Sequence, residues 1–497
     1  MKNITIKKLL VFSLTALFSF TGCEKMLDIN TDPNNPSIDN SSPSLVFPSA
    51  VVSTAGRIGG EYAILGGFMA QYWSNSPFAN QYRNTDTYNF NQNNFNNSFD
   101  ELYAGALNDY NYVIKRSAET GDWRFHLMGT VMKAYTYQVL ADLYDQVPYT
   151  EAFKGVENLK PRFDDGFTVY TGLVQELDQA LAKDLNAAGN STPGANDLVF
   201  NGDMSQWIRF ANTLKLKMYL RMVYAKPQEA EAGIRSLYAD GGNFLTSSAG
   251  LFNFQDQPDK SNPLYEMNVR KLSGVKTNLR ASNTFVSFLR ANGDPRLEAY
   301  YYKEGRESEV NPITGMHQAD FNDKTTFISV FKQTATDPVH FISAAESHFL
   351  QAEALERFFN GTGAREQYDA GVEAAFQQFN LGARAAEFTA LDGRYSYPME
   401  ADFEHKLEAI ITQKWASFPG SHALEAFFEK NRTGYPKHSA VYSSDAAYIP
   451  GQLVWPMDNV TGNKYPKRLM FPASERSTNP NVPALKPITE NVWWDKK

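Results

Sequence analysis

Apolar residues recur three and four positions apart through much of the chain, the spacing of one face of an α-helix. Met128, Met132, Tyr135, Val139 and Leu143 mark one helix, which should stop before Pro148 because a proline pushes its predecessor out of helical geometry. Leu173, Leu177, Leu181 and Leu185 mark another. Trp207, Phe210, Ala211, Leu214, Met218 and Met222 form an apolar face, with Lys215, Lys217 and Arg221 elsewhere on the wheel. Ile342, Ala345, Phe349 and Ala352 pair with Tyr368, Val372, Phe376 and Phe379 as two antiparallel helices. Further helices are predicted over 102–115, 285–290, around Leu407, Ile410, Ile411 and Trp415, and over 424–429. Residues 48–72 read as one helix whose glycine pairs, Gly59-Gly60 and Gly66-Gly67, suit close helix packing. Between these lie irregular segments, 240–281, 302–336, 382–399 and 433–497, with short β-like runs such as 327–331. The pattern predicts a mostly α fold: helix pairs stacked as a scaffold, with large irregular insertions on one side and minor β. No exact period of about 34 residues is visible.

The N-terminus follows a different pattern. Lys2, Lys7 and Lys8 precede an uncharged apolar run over 9–20, then Thr21, Gly22 and Cys23. A basic start, a short apolar segment and small residues read as a secretory signal, too short for a membrane span. Cys23 is the chain's single cysteine, and its position resembles that of a bacterial lipoprotein signal, in which the thiol is acylated, with palmitate among the acyl groups. Phe20 stands where such signals usually carry leucine. Each buried methylene contributes about 0.8 kcal/mol, so more than one acyl chain makes a stable anchor. Residues 1–22 are therefore read as signal peptide and 23–44 as a lipidated tether, rich in Asn, Asp, Ser and Pro. Residues 45–497 are long enough for one large or two to three small domains.

Composition narrows the function. No later apolar run reaches spanning length. The leader's three lysines reduce 47 basic residues to 44 against 55 acidic ones, a poor balance for nucleic acid. With Cys23 assigned to lipid, no internal disulfide can form. Aromatics make up 14% of the chain, including 26 tyrosines, more than a core needs, because a buried hydroxyl wants a partner. Residues 73–97 concentrate them without a period: Trp73, Phe78, Tyr82, Tyr88, Phe90 and Phe95 stand among Asn, Gln, Ser and Thr. Sugar rings offer apolar C–H faces and a rim of hydroxyls, which flat aromatics and amides match. The ligand-binding candidates are Trp73, Tyr82, Arg83 and Tyr88, with Asn75 as polar partner. At least half of these should only pin the loop to the scaffold.

Catalytic patterns are missing from the sequence. There is no His-Glu-x-x-His, and the seven histidines are scattered. Gly420-Ser421-His422 lacks the second glycine of a nucleophile elbow. No phosphate loop is present, and no cofactor or metal is expected. The competing reading is a secreted helical glycoside hydrolase or other surface hydrolase, which needs only two carboxylates across a cleft. Glu346 and Glu353, seven apart, could supply a general acid, but buried glutamates bonded to a neighbouring helix are the favoured reading. Asp164-Asp165 reads as a helix N-cap.

Several stretches together resemble the SusD/RagB-like outer-membrane lipoproteins. They are Leu27-Asp28-Ile29-Asn30-Thr31-Asp32-Pro33, Val147-Pro148-Tyr149-Thr150-Glu151-Ala152, and Trp207 with Phe210-Ala211-Asn212-Thr213-Leu214-Lys215-Leu216. Asn262-Pro263-Leu264-Tyr265-Glu266, Gly293-Asp294-Pro295-Arg296-Leu297, Ala352-Glu353-Ala354 and Gln413-Lys414-Trp415 follow. Arg432-Thr433-Gly434-Tyr435-Pro436 and Arg468-Leu469-Met470-Phe471-Pro472, with Ser474-Glu475, complete the order. Asp145-Gln146 depart from the usual Gly-Asp, and Phe427 or Phe428 stands where the family often has Trp. The resemblance implies that residues 45–497 form a single ligand-binding domain, mostly α, of tetratricopeptide-like helix pairs with a less regular ligand-facing half, and it implies no catalysis. It implies an outward-facing place on the outer membrane and a SusC-like TonB-dependent β-barrel as partner. Its ligand would be an oligosaccharide before an oligopeptide.

Overall fold

The structure, a computed structural model, describes residues 41–272, 278–303, 313–322 and 328–497. The signal segment, Cys23 and the tether up to residue 40 lie outside the described residues, as does Phe327 of the β-like run.

Helix α1 (Pro43–Ile58) opens with proline in its first turn, where no backbone N–H is missed. It gives way at Gly59-Gly60 to α2 (Glu61–Met69), so residues 48–72 form two helices rather than the single one expected. The first glycine pair sits at the break, and both pairs allow close packing: a Cβ on Gly59 would stand 2.5 Å from Val339, and one on Gly66, within α2, 2.3 Å from the backbone of Leu424. After a π-helical stretch (Leu102–Leu107) come α3 (Asn108–Thr120) and α4 (Trp123–Tyr144), which ends before Pro148 as predicted. Helices α5 (Gly166–Leu181) and α6 (Met204–Arg221) begin at Asp165 and Asp203, whose carboxylates accept from the first free N–H groups. Then follow α7 (Pro227–Ala239), which the periodicity did not reveal, and α8 (Asn283–Ala291). Helices α9 (Ala344–Phe358) and α10 (Ala364–Gln377) are the predicted pair; Phe349 meets Tyr368 at 6.1 Å, as antiparallel packing requires. Helices α11 (Phe403–Ala416) and α12 (Ala423–Thr433) close the scaffold. Successive pairs, α3 with α4, α4 with α5, α6 with α7 and α9 with α10, pack side by side.

Short strands β1 (Trp73–Asn75), β2 (Ala249–Leu251), β3 (Leu279–Ala281) and β4 (Val339–Ile342) pair as β1 with β3 and β2 with β4, both antiparallel. Beyond α12 the chain is mostly irregular yet well tied: Tyr465 Oη donates to the Met69 carbonyl at 2.8 Å, and Leu469 N to the Leu143 carbonyl at 2.7 Å.

A corrected feature lies inside the scaffold. Lys215, Lys217 and Arg221, which the wheel placed off the apolar face, are buried. Lys217 lies 2.7 Å from Glu425 and 3.1 Å from Glu346; Arg221 pairs with Asp142 at 3.1 Å, with Glu429 at 2.5 Å, and with Glu425. Arg432 forks between Glu353 and Glu429, each at 2.6 Å. Ionic contacts thus join α4, α6, α9 and α12. Buried charges persist only when paired and hydrogen-bonded, and here almost every one has several partners.

Candidate functional site

The aromatic stretch after α2 is a loop built on β1. Its sequence-predicted residues mostly face inward. Trp73 is fully buried, its ring 4.8 Å from Phe331 and so close to Gly67 that a Cβ there would come within 1.9 Å. Asn75, also fully buried, donates to the carbonyls of Ser76 and Ala79 and accepts from Tyr82 N at 3.2 Å, tying the loop to its base. Tyr82 packs on Phe68 at 5.8 Å, and burial pushes its hydroxyl above the ordinary range. Tyr88 sits edge-on to Tyr465. Stacking on ligand needs an open ring face, and the rings of Trp73, Tyr82 and Tyr88 offer none. Arg83 differs: it is half-buried, with its guanidinium 4.2 Å over the Phe321 ring. The outward residue that sequence reasoning passed over is Phe78, 60% exposed.

Asp86 is the clamp beneath this loop. Ser74 Oγ donates to it at 2.6 Å and Asn75 N at 2.8 Å, and Gln318 Nε2 reaches its other oxygen. Burial outweighs these bonds and raises its carboxyl to about 6.

The sheet register brings a second group to the same end. The loop leaves β1 beside Asn278, whose Nδ2 donates to Gln81 Oε1 at 2.5 Å. Arg280 of β3 bridges to Val330, and Phe331 to Tyr301. There Tyr265, Tyr302, Gln333 and Asp256 line a hollow of about 220 Å³. Tyr302 is 43% exposed, and burial, then Asp337 and Tyr265, raises its hydroxyl. Gln333 is buried, and its Oε1 has no partner among the described residues. An unpaired buried acceptor facing a hollow is costly unless a donor arrives. The Tyr300-Tyr301-Tyr302 run was the available signal; in the structure only its last member reaches the surface.

Glu346 and Glu353 are fully buried ion-pair partners. Burial raises the Glu353 carboxyl, but Arg432 and Arg357 outweigh it and hold it at about 2. Burial likewise works against Glu346, and Lys217 and His422 bring it well below the carboxylate range. Groups held ionised in this way have no proton to give near neutral pH. Among the described residues no cluster of metal-ligating side chains is present.

A helix-pair scaffold that presents aromatic faces and amides at the end of a small sheet is the architecture of a binding protein. The chain belongs to the SusD-like family described as starch-binding and associating with the outer membrane, which it matches over residues 33–456. A SusD homolog from Bacteroides uniformis has 22% identity over 91% of this chain and 99% of its own, with a TM-score of 0.72. A chitin-binding SusD homolog from Flavobacterium johnsoniae has 23% identity over 90% and 98%, with a TM-score of 0.71. A SusD/RagB family protein from Bacteroides thetaiotaomicron has 20% identity over 92% and 99%, with a TM-score of 0.72. At these identities the likeness is one of fold. No curated protein matches the chain.

Proposed function

We propose that this protein is an outer-membrane lipoprotein, held through Cys23 and facing outward, that binds an oligosaccharide and passes it to a SusC-like TonB-dependent β-barrel. The observation that carries the ligand reading is the outward face of the loop and hollow. Phe78, Tyr265 and Tyr302 offer ring surface, and Gln81, Arg83 and Gln333 offer polar partners. That mixture suits the apolar faces and hydroxyl rim of a sugar. That one similar structure is of a chitin-binding protein favours a glycan over a peptide. Within this reading Trp73, Asn75, Tyr82 and Tyr88 shape the loop, and Arg83 touches ligand. The protein binds without catalysis.

Isothermal titration of the purified protein against chito- and malto-oligosaccharides tests this. The double variant Phe78→Ala, Tyr302→Ala should fold normally and lose about 1–3 kcal/mol per stacked ring, by analogy with aromatic stacking on bases. Unchanged affinity would move the site elsewhere. Release of shortened sugars during incubation would instead favour the hydrolase.

A further inference from the structure

The outer side of α1 carries apolar surface left open among the described residues. Leu45, Ser49, Val52 and Gly56 stand four, three and four positions apart, on one face of the helix. Leu45 is 67% and Val52 52% exposed. The stripe runs into a cleft of about 610 Å³, lined on its apolar side by Val52, Leu198, Leu251, Phe254 and Met267. Gly56 lines it too, and a Cβ there would meet nothing within 4 Å. The rim is electrically balanced, with Arg57, Lys260 and Lys271 standing among Glu101, Asp259 and Glu266. Charge therefore selects no occupant, and burial of apolar surface must do so.

The segment that leads into α1 has the matching pattern. Tyr112 Oη donates to the Ser41 carbonyl at 2.5 Å and fixes where that segment enters. Prolines aside, residues 24–40 are polar or charged except at Met26, Leu27, Ile29 and Ile38. Apolar groups thus come at two places, beside the entry and at 26–29. The helix also offers two places: Leu45 beside the entry, and the cleft at Gly56. From Pro43 to Gly56 the helix rises about 20 Å, at 1.5 Å per residue. The 14 residues from Leu27 to Ser41, taken as an irregular chain, have a root-mean-square span of about 20 Å as well. A linker whose span matches the gap gives its docking group the highest effective concentration.

We propose that the outer side of α1 is the seat of the chain's own tether. Ile38 covers Leu45, residues 30–37 run back along the stripe, and Met26, Leu27 and Ile29 fill the cleft. The consequence is orientation. Released, the 18 residues from Cys23 to Ser41 reach at most about 60 Å. Seated, three residues separate Cys23 from Met26, about 10 Å of chain. With Cys23 in lipid, α1 is then held close to the membrane and the body cannot swing freely on its leash. This contact needs no ligand and does not rest on the sugar reading.

Because Cys23 is the chain's single cysteine, crosslinking gives a direct test. The mature chain, produced without residues 1–22 and carrying Cys23→Ala, receives Leu27→Cys with Gly56→Cys and is oxidised with copper phenanthroline. An internal disulfide should form at least tenfold faster than in the same chain with Leu27→Cys and Leu391→Cys, a site 79% exposed on another element. The rate should not change over a hundredfold dilution, since both partners belong to one molecule. Trypsin tests the wild-type mature chain. Cleavage after Lys25, read by intact mass, should be at least tenfold slower than in the Leu27→Asp, Ile29→Asp chain. Gly56→Phe, which fills the cleft, should speed it as much; the double aspartate chain leaves the packed body untouched and serves if Gly56→Phe does not fold. Equal crosslinking at the two sites, a rate that falls on dilution, or cleavage after Lys25 as fast in the wild type as in the double aspartate chain overturns the proposal.

Discussion

Asp86 has three hydrogen-bond donors around it and no cation. Its folded carboxyl titrates near 6, above the ordinary 3.8. A raised acid binds its proton more tightly when folded, so its contribution to stability is present below about 3.8 and lost as pH rises through about 6. The shift corresponds to about 3 kcal/mol. Asp86→Asn should remove this dependence. On going from pH 7 to pH 4, the wild type should gain about 2–3 kcal/mol relative to the variant in urea unfolding. Parallel profiles for the two proteins would rule out this role. The aromatic stretch was legible as a special loop from its composition. Which rings face out was not, because the partners that bury Trp73 and Tyr88, Phe331 and Tyr465, lie hundreds of residues away. Burial of that kind leaves no trace in the local pattern. Arg83→Ala should therefore weaken glycan binding with little loss of stability, whereas Trp73→Ala should cost about 3–5 kcal/mol of stability. Titration and thermal melting of the two variants separate these effects.

At the level of elements, periodicity placed most of the helices because their apolar stripes face a shared core. It missed α7 and the helix Gly382–Thr389 inside the segment read as irregular, and it merged α1 with α2, where a glycine pair breaks the chain inside one apolar pattern. Helix α6 taught the sharper lesson. Its lysines and arginine lie off the apolar face on the wheel, yet acids from α4, α9 and α12 hold Lys217 and Arg221 in the interior, and Asp178 of α5 meets Lys215. The matching charges, at Glu346, Glu353, Glu425 and Glu429, were visible in the sequence, but nothing local assigned them partners. Removing one member of a buried pair leaves the other uncompensated and typically costs about 3–5 kcal/mol. Arg432→Ala should show that loss in urea unfolding, since Glu353 would keep only Arg357, and Glu429 only Arg221 and Lys414, against their burial. Glu353 also sets an acid limit. Its folded carboxyl, near 2, lies below the ordinary 4.5. Its contribution is therefore full above about 4.5 and lost as pH falls toward 2. Glu353→Gln should flatten the wild-type loss of stability over that window.

The whole molecule poses a transport problem. No helix among the described residues is long and apolar enough to cross a membrane. In the proposed reading, a lipid-held protein collects the solute and a partner supplies the passage. The family's association with the outer membrane fits a β-barrel in that role, with this protein as its lid. A lid must open, which favours a polar contact over a greasy permanent one, and the excess of acidic over basic residues beyond the leader, 55 against 44, fits that kind of surface. Anchor and contact are separable. Cys23→Ala should abolish incorporation of a fatty-acid probe and move the protein out of the membrane fraction. The Phe78→Ala, Tyr302→Ala protein should remain lipidated and keep its barrel. Both are read by extracting cells in mild detergent, purifying through a tag on this chain, and looking for a co-eluting outer-membrane barrel. Label retained on the alanine variant would end the anchoring model. Recovery of the wild type as a solitary monomer under gentle extraction would end the lid model, because a protein that delivers ligand to a channel must spend time bound to it.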